Sequence, residues 1–329
     1  MFTRLLKAAR YLSPQALRST VVRVDQLVDS THRLRAQVDE LLVRTEQLET
    51  AARLDWEMQD ELARLDAQLD LPRIETHVSR AVAKAQLDMN PFPHVVVDNW
   101  LPSDVYRLMV RAVPPAVFFA DRDVARQRLQ VPFGRGPIYS RRVWEFVAKH
   151  IVGVMLHDAL ALKFDRVIQE FVSSACGELE GLTWQMHTSD GRIMLRRPGY
   201  VIAPHRDPKW GFVTGLIYLA KPGDNESFGT QLYRVRGDEE APNDKPYYVD
   251  ESRCDLVRSV PFKANSMLAF LNSAGAHGAS IPADAKPADL ERYVYQFRLG
   301  PDRKGIQQLL AQMSAERRER WAGGKRRTG

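Results

Sequence analysis

From Val24 onward the apolar residues alternate steps of three and four: Val24, Leu27, Thr31, Leu34, Val38, Leu41, Thr45, Leu48 and Ala52. Leucine fills every d position of this heptad, at Leu27, Leu34, Leu41 and Leu48. Such a stripe predicts a long coiled-coil helix, because a solitary helix cannot bury it. The simplest partner is a second copy of the chain; folding back on its own domain is the other. A second series, Met58, Leu62, Leu65 and Leu69, is displaced by one residue, which predicts a disturbance near Asp55. Pro72 closes the run, residues 73–88 read as helix again, and Asn90-Pro91 breaks that segment.

Past residue 90 the pattern changes. Val95-Val96-Val97-Asp98 is a β-branched run, and a helix follows from Ser103 or Asp104 as cap. Two helical stripes run from Val143 to Leu162 and from Phe164 to Leu179. After residue 182 the period falls to two, the signature of strands, as far as residue 300. Helices first and strands afterwards predict an α+β domain, a β-barrel or jelly roll buttressed by helices. The expected organisation is a coiled-coil arm over 1–89, that domain over 90–300, and a C-terminal helix with a basic tail over 301–329.

Composition narrows the function classes. Across 329 residues, 44% are hydrophobic and 27% charged, ordinary for a globular protein. No run approaches the ~20 apolar residues of a membrane span. Two cysteines, Cys176 and Cys254, exclude a disulfide scaffold or a cysteine-rich zinc fold and fit a reducing, cytoplasmic setting. The net charge of +6 collects in the tail, around Arg317, Arg318, Arg320, Lys325, Arg326 and Arg327. A solvated tail explains that better than nucleic-acid binding. Residues 1–20 carry Arg4, Lys7, Arg10 and Arg18 without an acid beside an apolar face. They fit a peripheral membrane helix, a transit peptide or a helix packed on a neighbouring subunit.

The candidate chemistry lies in the strand region. In an extended chain His205 and Asp207 point the same way and can present an imidazole and a carboxylate to one point. Downstream, a strand running into Ser273-Ala274-Gly275-Ala276 delivers His277 among small neighbours. Two histidines and one carboxylate make a facial triad suited to Fe(II), with zinc and manganese as open alternatives. On the last strand Arg292, Val294, Gln296 and Arg298 share one face, and a buried arginine there requires an anion. His157 and His187 lack a partner in frame and read as structural; His32 and His77 belong to the arm.

The order His205-x-Asp207, His277, Arg292 resembles the iron(II)/2-oxoglutarate oxygenases, nearest the branch resembling prolyl 4-hydroxylases. Asn90-Pro91-Phe92-Pro93-His94 with Val97-Asp98-Asn99-Trp100-Leu101-Pro102 is similar to the entry segment of bacterial members. Thr214-Gly215-Leu216-Ile217-Tyr218-Leu219 and Phe228-Gly229-Thr230-Gln231-Leu232-Tyr233 are similar to two further strands of that family. The resemblance covers residues ~90–300 and implies a double-stranded β-helix core. It implies Fe(II) held by His205, Asp207 and His277, with the far carboxylate of the 2-oxoglutarate cosubstrate on Arg292 and Tyr218. It also implies hydroxylation of a C–H bond with O2 and release of succinate and CO2. Arg292 follows His277 by more residues than is usual, which leaves Arg298 a rival on the same face, and Gly229 stands alone where relatives often have two glycines. Arg206, Lys209 and Trp210 are candidates for the substrate mouth, and the substrate itself is not named by the sequence. The alternative is a non-catalytic oligomeric interaction protein, with the coiled coil as its working part and a degenerate barrel as its head.

Overall fold

The computed structural model describes residues 14–123, 125–176, 184–208, 210–237, 249–272, 274–315 and 318. The chain separates into two compact units, Met1–Arg53 and Leu54–Gly329. The expected boundary near residue 90 thus falls inside the second unit. The physical reason is a stripe the sequence reading assigned to the arm. The helices Gln59–Gln68 and Leu71–Lys84 carry Leu65, Ile74, Val78 and Val82, all fully buried in the main core.

The described part of the first unit is one unbroken helix, belonging to Pro14–Glu57. Its d-position leucines are exposed, Leu27 at 68% and Leu48 at 64%. The threonines of the same stripe satisfy themselves: Thr31 Oγ1 donates to the Leu27 carbonyl at 2.8 Å and Thr45 Oγ1 to Leu41 at 2.9 Å. The displaced phase takes effect at Met58, where the helix ends and a new one starts. Residues 1–13, with most of the basic N-terminal segment, lie outside the described residues, as does most of the basic tail.

The second unit is an α+β jelly roll. β1 (His94–Asp98), β2 (Ala120–Asp123), β3 (Arg126–Gln130), β4 (Met186–Arg196), β6 (Val213–Tyr218), β9 (Ser266–Leu271) and β11 (Arg292–Pro301) form one sheet, ordered β1-β9-β6-β11-β4-β3-β2. β5 (Val201–His205), β7 (Thr230–Val235), β8 (Cys254–Val260) and β10 (Ala276–Ser280) form the other, ordered β5-β10-β7-β8. All pairings are antiparallel. Apart from the antiparallel pair β7 and β8, consecutive strands from β4 onward pass between the sheets, which closes a sandwich around one interior. β2 and β3 precede the helical stripes and escaped the sequence reading, since each is only four or five mostly polar residues long.

The two sheets are covered differently. β6 and β9 are buried at every position, because helices close the outer face of the larger sheet. Ile138–Phe146, a π-helical stretch Val147–Leu156 and His157–Cys176 form this cover. Trp144 is fully buried there, its ring 5.3 Å from that of Tyr295 and its Nε1 donating to the Ala112 carbonyl at 2.9 Å. The helix expected to be capped by Ser103 or Asp104 runs Ser103–Arg111 without a side-chain cap. On β11, Tyr293, Tyr295, Phe297 and Leu299 face the helices, and Arg292, Val294, Gln296 and Arg298 face the interior. On the smaller sheet, β8 is exposed at its five central positions.

Candidate metal centre

The site forms where β5 ends and β10 begins. His205 and His277 are directly opposed residues of these paired strands, so both imidazoles project from one face. Their ring centroids are 4.2 Å apart. Asp207 lies two residues past His205, beyond the strand end, and its Oδ2 is 3.9 Å from His277 Nε2. One donor atom from each of the three residues can be chosen so that all lie within 4.8 Å of one another, and all three residues are buried. Gly275 makes the approach possible: its φ of +104° lies in the left-handed region, and a Cβ there would strike the Phe92 ring.

Surrounding groups fix the orientation of each donor. His205 Nδ1 is 2.9 Å from the Ala203 carbonyl, so it carries the proton and leaves Nε2 bare. The Phe270 ring lies 4.5 Å from His277. Thr214 Oγ1 donates to Asp207 Oδ2 at 2.6 Å, and an Arg298 Nη donates to Asp207 Oδ1 at 2.9 Å. Arg206 Nε donates to the Gly275 carbonyl at 2.9 Å, tying the end of β5 to the turn that delivers His277.

The electrostatics suit a divalent cation. Burial, with His205 alongside, pushes His277 down to about 3, and burial lowers His205 as well. Burial opposes ionisation of Asp207, yet His277, Arg298 and the Thr214 hydroxyl outweigh it and hold that carboxyl at about 2. Two neutral imidazoles and a carboxylate gathered on one side are the donor chemistry of a metal with open positions.

The triad opens on a cavity of about 440 Å³ bounded by β3, β4, β5, β6, β7, β10 and β11. The remaining sequence candidates take varied places. Tyr218 is fully buried, pushed up to about 12 by burial, and its hydroxyl donates at 2.9 Å to Thr230, which lines the cavity. Arg292 is buried but is absent from the cavity wall. It stacks 4.6 Å over Phe262, lies 3.6 Å from Asp224 and donates to the Asn225 carbonyl. Arg298 lines the cavity while holding Asp207. Arg206 is buried and Trp210 packs against the main core; neither lines the cavity. Lys209 lies outside the described residues. His157 contacts Asp158 at 2.6 Å and the Met186 carbonyl at 2.9 Å, in keeping with a structural part.

Sequence reasoning missed the arginines that face this cavity: Arg126 and Arg128 on β3, and Arg192 and Arg196 on β4. Arg196 is buried directly opposite Arg292, its Nε without a hydrogen-bond partner, its guanidinium 4.9 Å over Tyr200. The available signal was the alternation Arg126-x-Arg128 and Arg192-x-Met194-x-Arg196, which puts cations on one face of each strand.

No protein-family model matches the chain, and no curated protein matches it. By shape it is similar to HygX from Streptomyces hygroscopicus, solved with nickel, 2-oxoglutarate and hygromycin B bound. That match has 14% identity, spans 64% of this chain and 83% of the other, and has a TM-score of 0.40. It is also similar to a prolyl hydroxylase from Trichoplax adhaerens, solved with a hypoxia inducible factor peptide fragment. There the identity is 13%, the spans are 77% and 96%, and the TM-score is 0.38. A Pseudomonas putida prolyl-4-hydroxylase is similar at 15% identity over 68% of this chain and 99% of its own, with a TM-score of 0.32.

Proposed function

We propose that this chain is an Fe(II)/2-oxoglutarate-dependent dioxygenase that hydroxylates a C–H bond, releasing succinate and CO2. The observation that carries this reading is the buried His205, Asp207 and His277 set at the mouth of a jelly-roll cavity. Bound iron would supply dioxygen activation coupled to decarboxylation of the cosubstrate. The chain's own part is orientation and shelter. His205 and His277 offer neutral nitrogens, and Asp207 stays ionised under Arg298 and Thr214. The buried wall excludes bulk water from the reacting atoms.

For the far carboxylate of 2-oxoglutarate we assign the arginine pair that β4 and β11 set opposite each other, Arg196 and Arg292, with the Tyr218 and Thr230 hydroxyls. Both guanidiniums are buried with an unpartnered Nε. Burying Arg196 without a carboxylate beside it is costly, whereas Arg292 already has Asp224 at 3.6 Å. Arg196→Ala and Arg292→Ala should each weaken 2-oxoglutarate binding to the nickel-loaded protein about tenfold or more. Unchanged affinity in both variants overturns the assignment. The reaction itself is tested by anaerobic iron loading followed by oxygen, with succinate measured. Succinate formation that survives Asp207→Ala removes the triad from the proposal.

We also propose that the exposed Leu27, Leu34, Leu41 and Leu48 stripe pairs with a second copy of the chain as a parallel coiled coil. Light scattering on the full chain and on a chain starting at Leu54 tests it. A monomeric full chain, or an oligomeric truncated one, overturns it.

A further inference from the structure

The wall opposite the metal ligands holds more positive charge than the proposed metal and cosubstrate can use. Among the described residues, five arginines line the cavity, Arg126, Arg128, Arg192, Arg196 and Arg298, against one acid, Asp207. Arg298 is committed to Asp207 at 2.9 Å, and Arg192 holds the Gln296 side-chain oxygen at 2.6 and 2.9 Å. Arg196 serves the cosubstrate in the reading above, on which this inference rests. Arg126 and Arg128 remain. Among the described residues neither side chain has a hydrogen bond or an ion pair, although acids elsewhere on this unit are paired with arginines, as in Arg197–Glu291 at 2.7 Å.

The register puts these two cations together. Arg126 and Arg128 are two positions apart on β3, on one face and roughly 7 Å apart along the strand. Arg126 lies opposite Arg196, and Arg128 opposite Met194, whose neighbour on the same face is Arg192. β3 is covered by β2 on one side and β4 on the other, so its inward face is a fixed wall of the cavity. Arg126 is exposed and Arg128 half-buried, so both guanidiniums stand where the cavity meets solvent and an incoming anion can reach them. Like charges this close repel, and they are tolerated where an anion comes between them.

We infer that the primary substrate is a small molecule bearing a phosphate monoester or an equivalent dianionic group. Arg126 and Arg128 bind that group from β3, and the C–H bond to be oxidised points toward His205, Asp207 and His277. A dianion fits better than a single carboxylate because two unpaired guanidiniums, with Arg192 beside them, face the same space. The cavity of about 440 Å³ would hold the cosubstrate as well, which leaves room for a small metabolite.

The test uses the full chain loaded with nickel and saturated with 2-oxoglutarate, titrated calorimetrically with phenyl phosphate, benzoate and benzyl alcohol. Binding of 2-oxoglutarate is measured first, so failure of the oxygenase reading is seen separately from failure of this one. Phenyl phosphate should bind at least tenfold more tightly than benzoate, with benzyl alcohol weakest. Arg126→Gln and Arg128→Gln, each confirmed folded by circular dichroism, should each weaken phenyl phosphate about tenfold, and Arg128→Lys should recover part of that loss. Equal binding of phenyl phosphate and benzyl alcohol overturns the inference. So does phenyl phosphate affinity that is unmoved by both glutamine variants, since the probe would then be sitting on the metal.

Discussion

The helix over residues 14–53 and the jelly roll that follows use the same kind of residue to opposite effect. In the helix, Leu27, Leu34, Leu41 and Leu48 repeat without a fault and are all more than 60% exposed. In the jelly roll, apolar residues with far less regular spacing, such as Trp144, Phe164, Phe212 and Tyr295, are nearly or fully buried. Periodicity fixes the local conformation of a segment, whereas burial depends on what the rest of the chain brings against it. The described helix of the first unit leaves its stripe exposed, so little tertiary packing supports it. The second unit owns its core and can hold groups that are costly to bury, including Arg196, Arg292, Arg298 and Asp207.

The contrast can be broken first at the core. Trp144→Ala removes a fully buried ring and its bond to Ala112, and should destabilise the jelly roll by about 4 kcal/mol in chemical denaturation. A loss below about 1 kcal/mol would mean that the helical cover is not part of that cooperative unit. Asp207→Ala should come next, lowering nickel affinity by more than about a hundredfold, because even groups that only orient a ligand contribute ten- to a hundredfold. Calorimetric titration with nickel reads it, and Thr214→Val should give the smaller loss of roughly tenfold expected of such an orienting group.

Acid should act on the metal-free jelly roll by a smaller amount. His277 is held neutral down to about 3, whereas an imidazole in the unfolded chain takes up its proton near 6.5. Above pH 6.5 both states are neutral and the full stability is present. Below it the unfolded chain binds a proton that the folded site refuses, so stability falls as pH is lowered toward 3. By pH 5 this amounts to about 2 kcal/mol for His277, and His205 adds to it in the same direction. Denaturant midpoints at pH 7.5 and 5 should show the loss in the wild type, and less of it in His277→Phe. The same loss should be seen in a chain lacking residues 1–53.

The smallest effect is expected from the helix. Removing residues 1–53 should change the denaturation midpoint of the jelly roll by less than about 0.5 kcal/mol, since its buried core is made from residue 65 onward. A larger shift would show that the leucine stripe stabilises more than its own helix.

Much was legible in the sequence because the signals were local. A heptad with leucine at every d position can only be a long helix, and its phase slip marked the break at Met58. The His-x-Asp spacing and the small residues before His277 pointed to a triad, because a strand and a tight turn present side chains in fixed directions. The boundary after residue 53 was not legible. Leu65, Ile74 and Val82 continue an apolar stripe, and nothing in that stripe says whether a jelly roll or another helix will cover it. β2 and β3 were not legible either, being short and polar, and with them went Arg126 and Arg128. What only the tertiary structure decided is which arginine faces what: Arg298 on Asp207, Arg292 on Phe262 and Asp224, Arg196 at the cavity. Alternation along β11 puts Arg292 and Arg298 on one face, but the partner of each guanidinium comes from strands and loops distant in the chain. Sequence determined the period and the direction of each side chain; the packing of two sheets determined what each one meets.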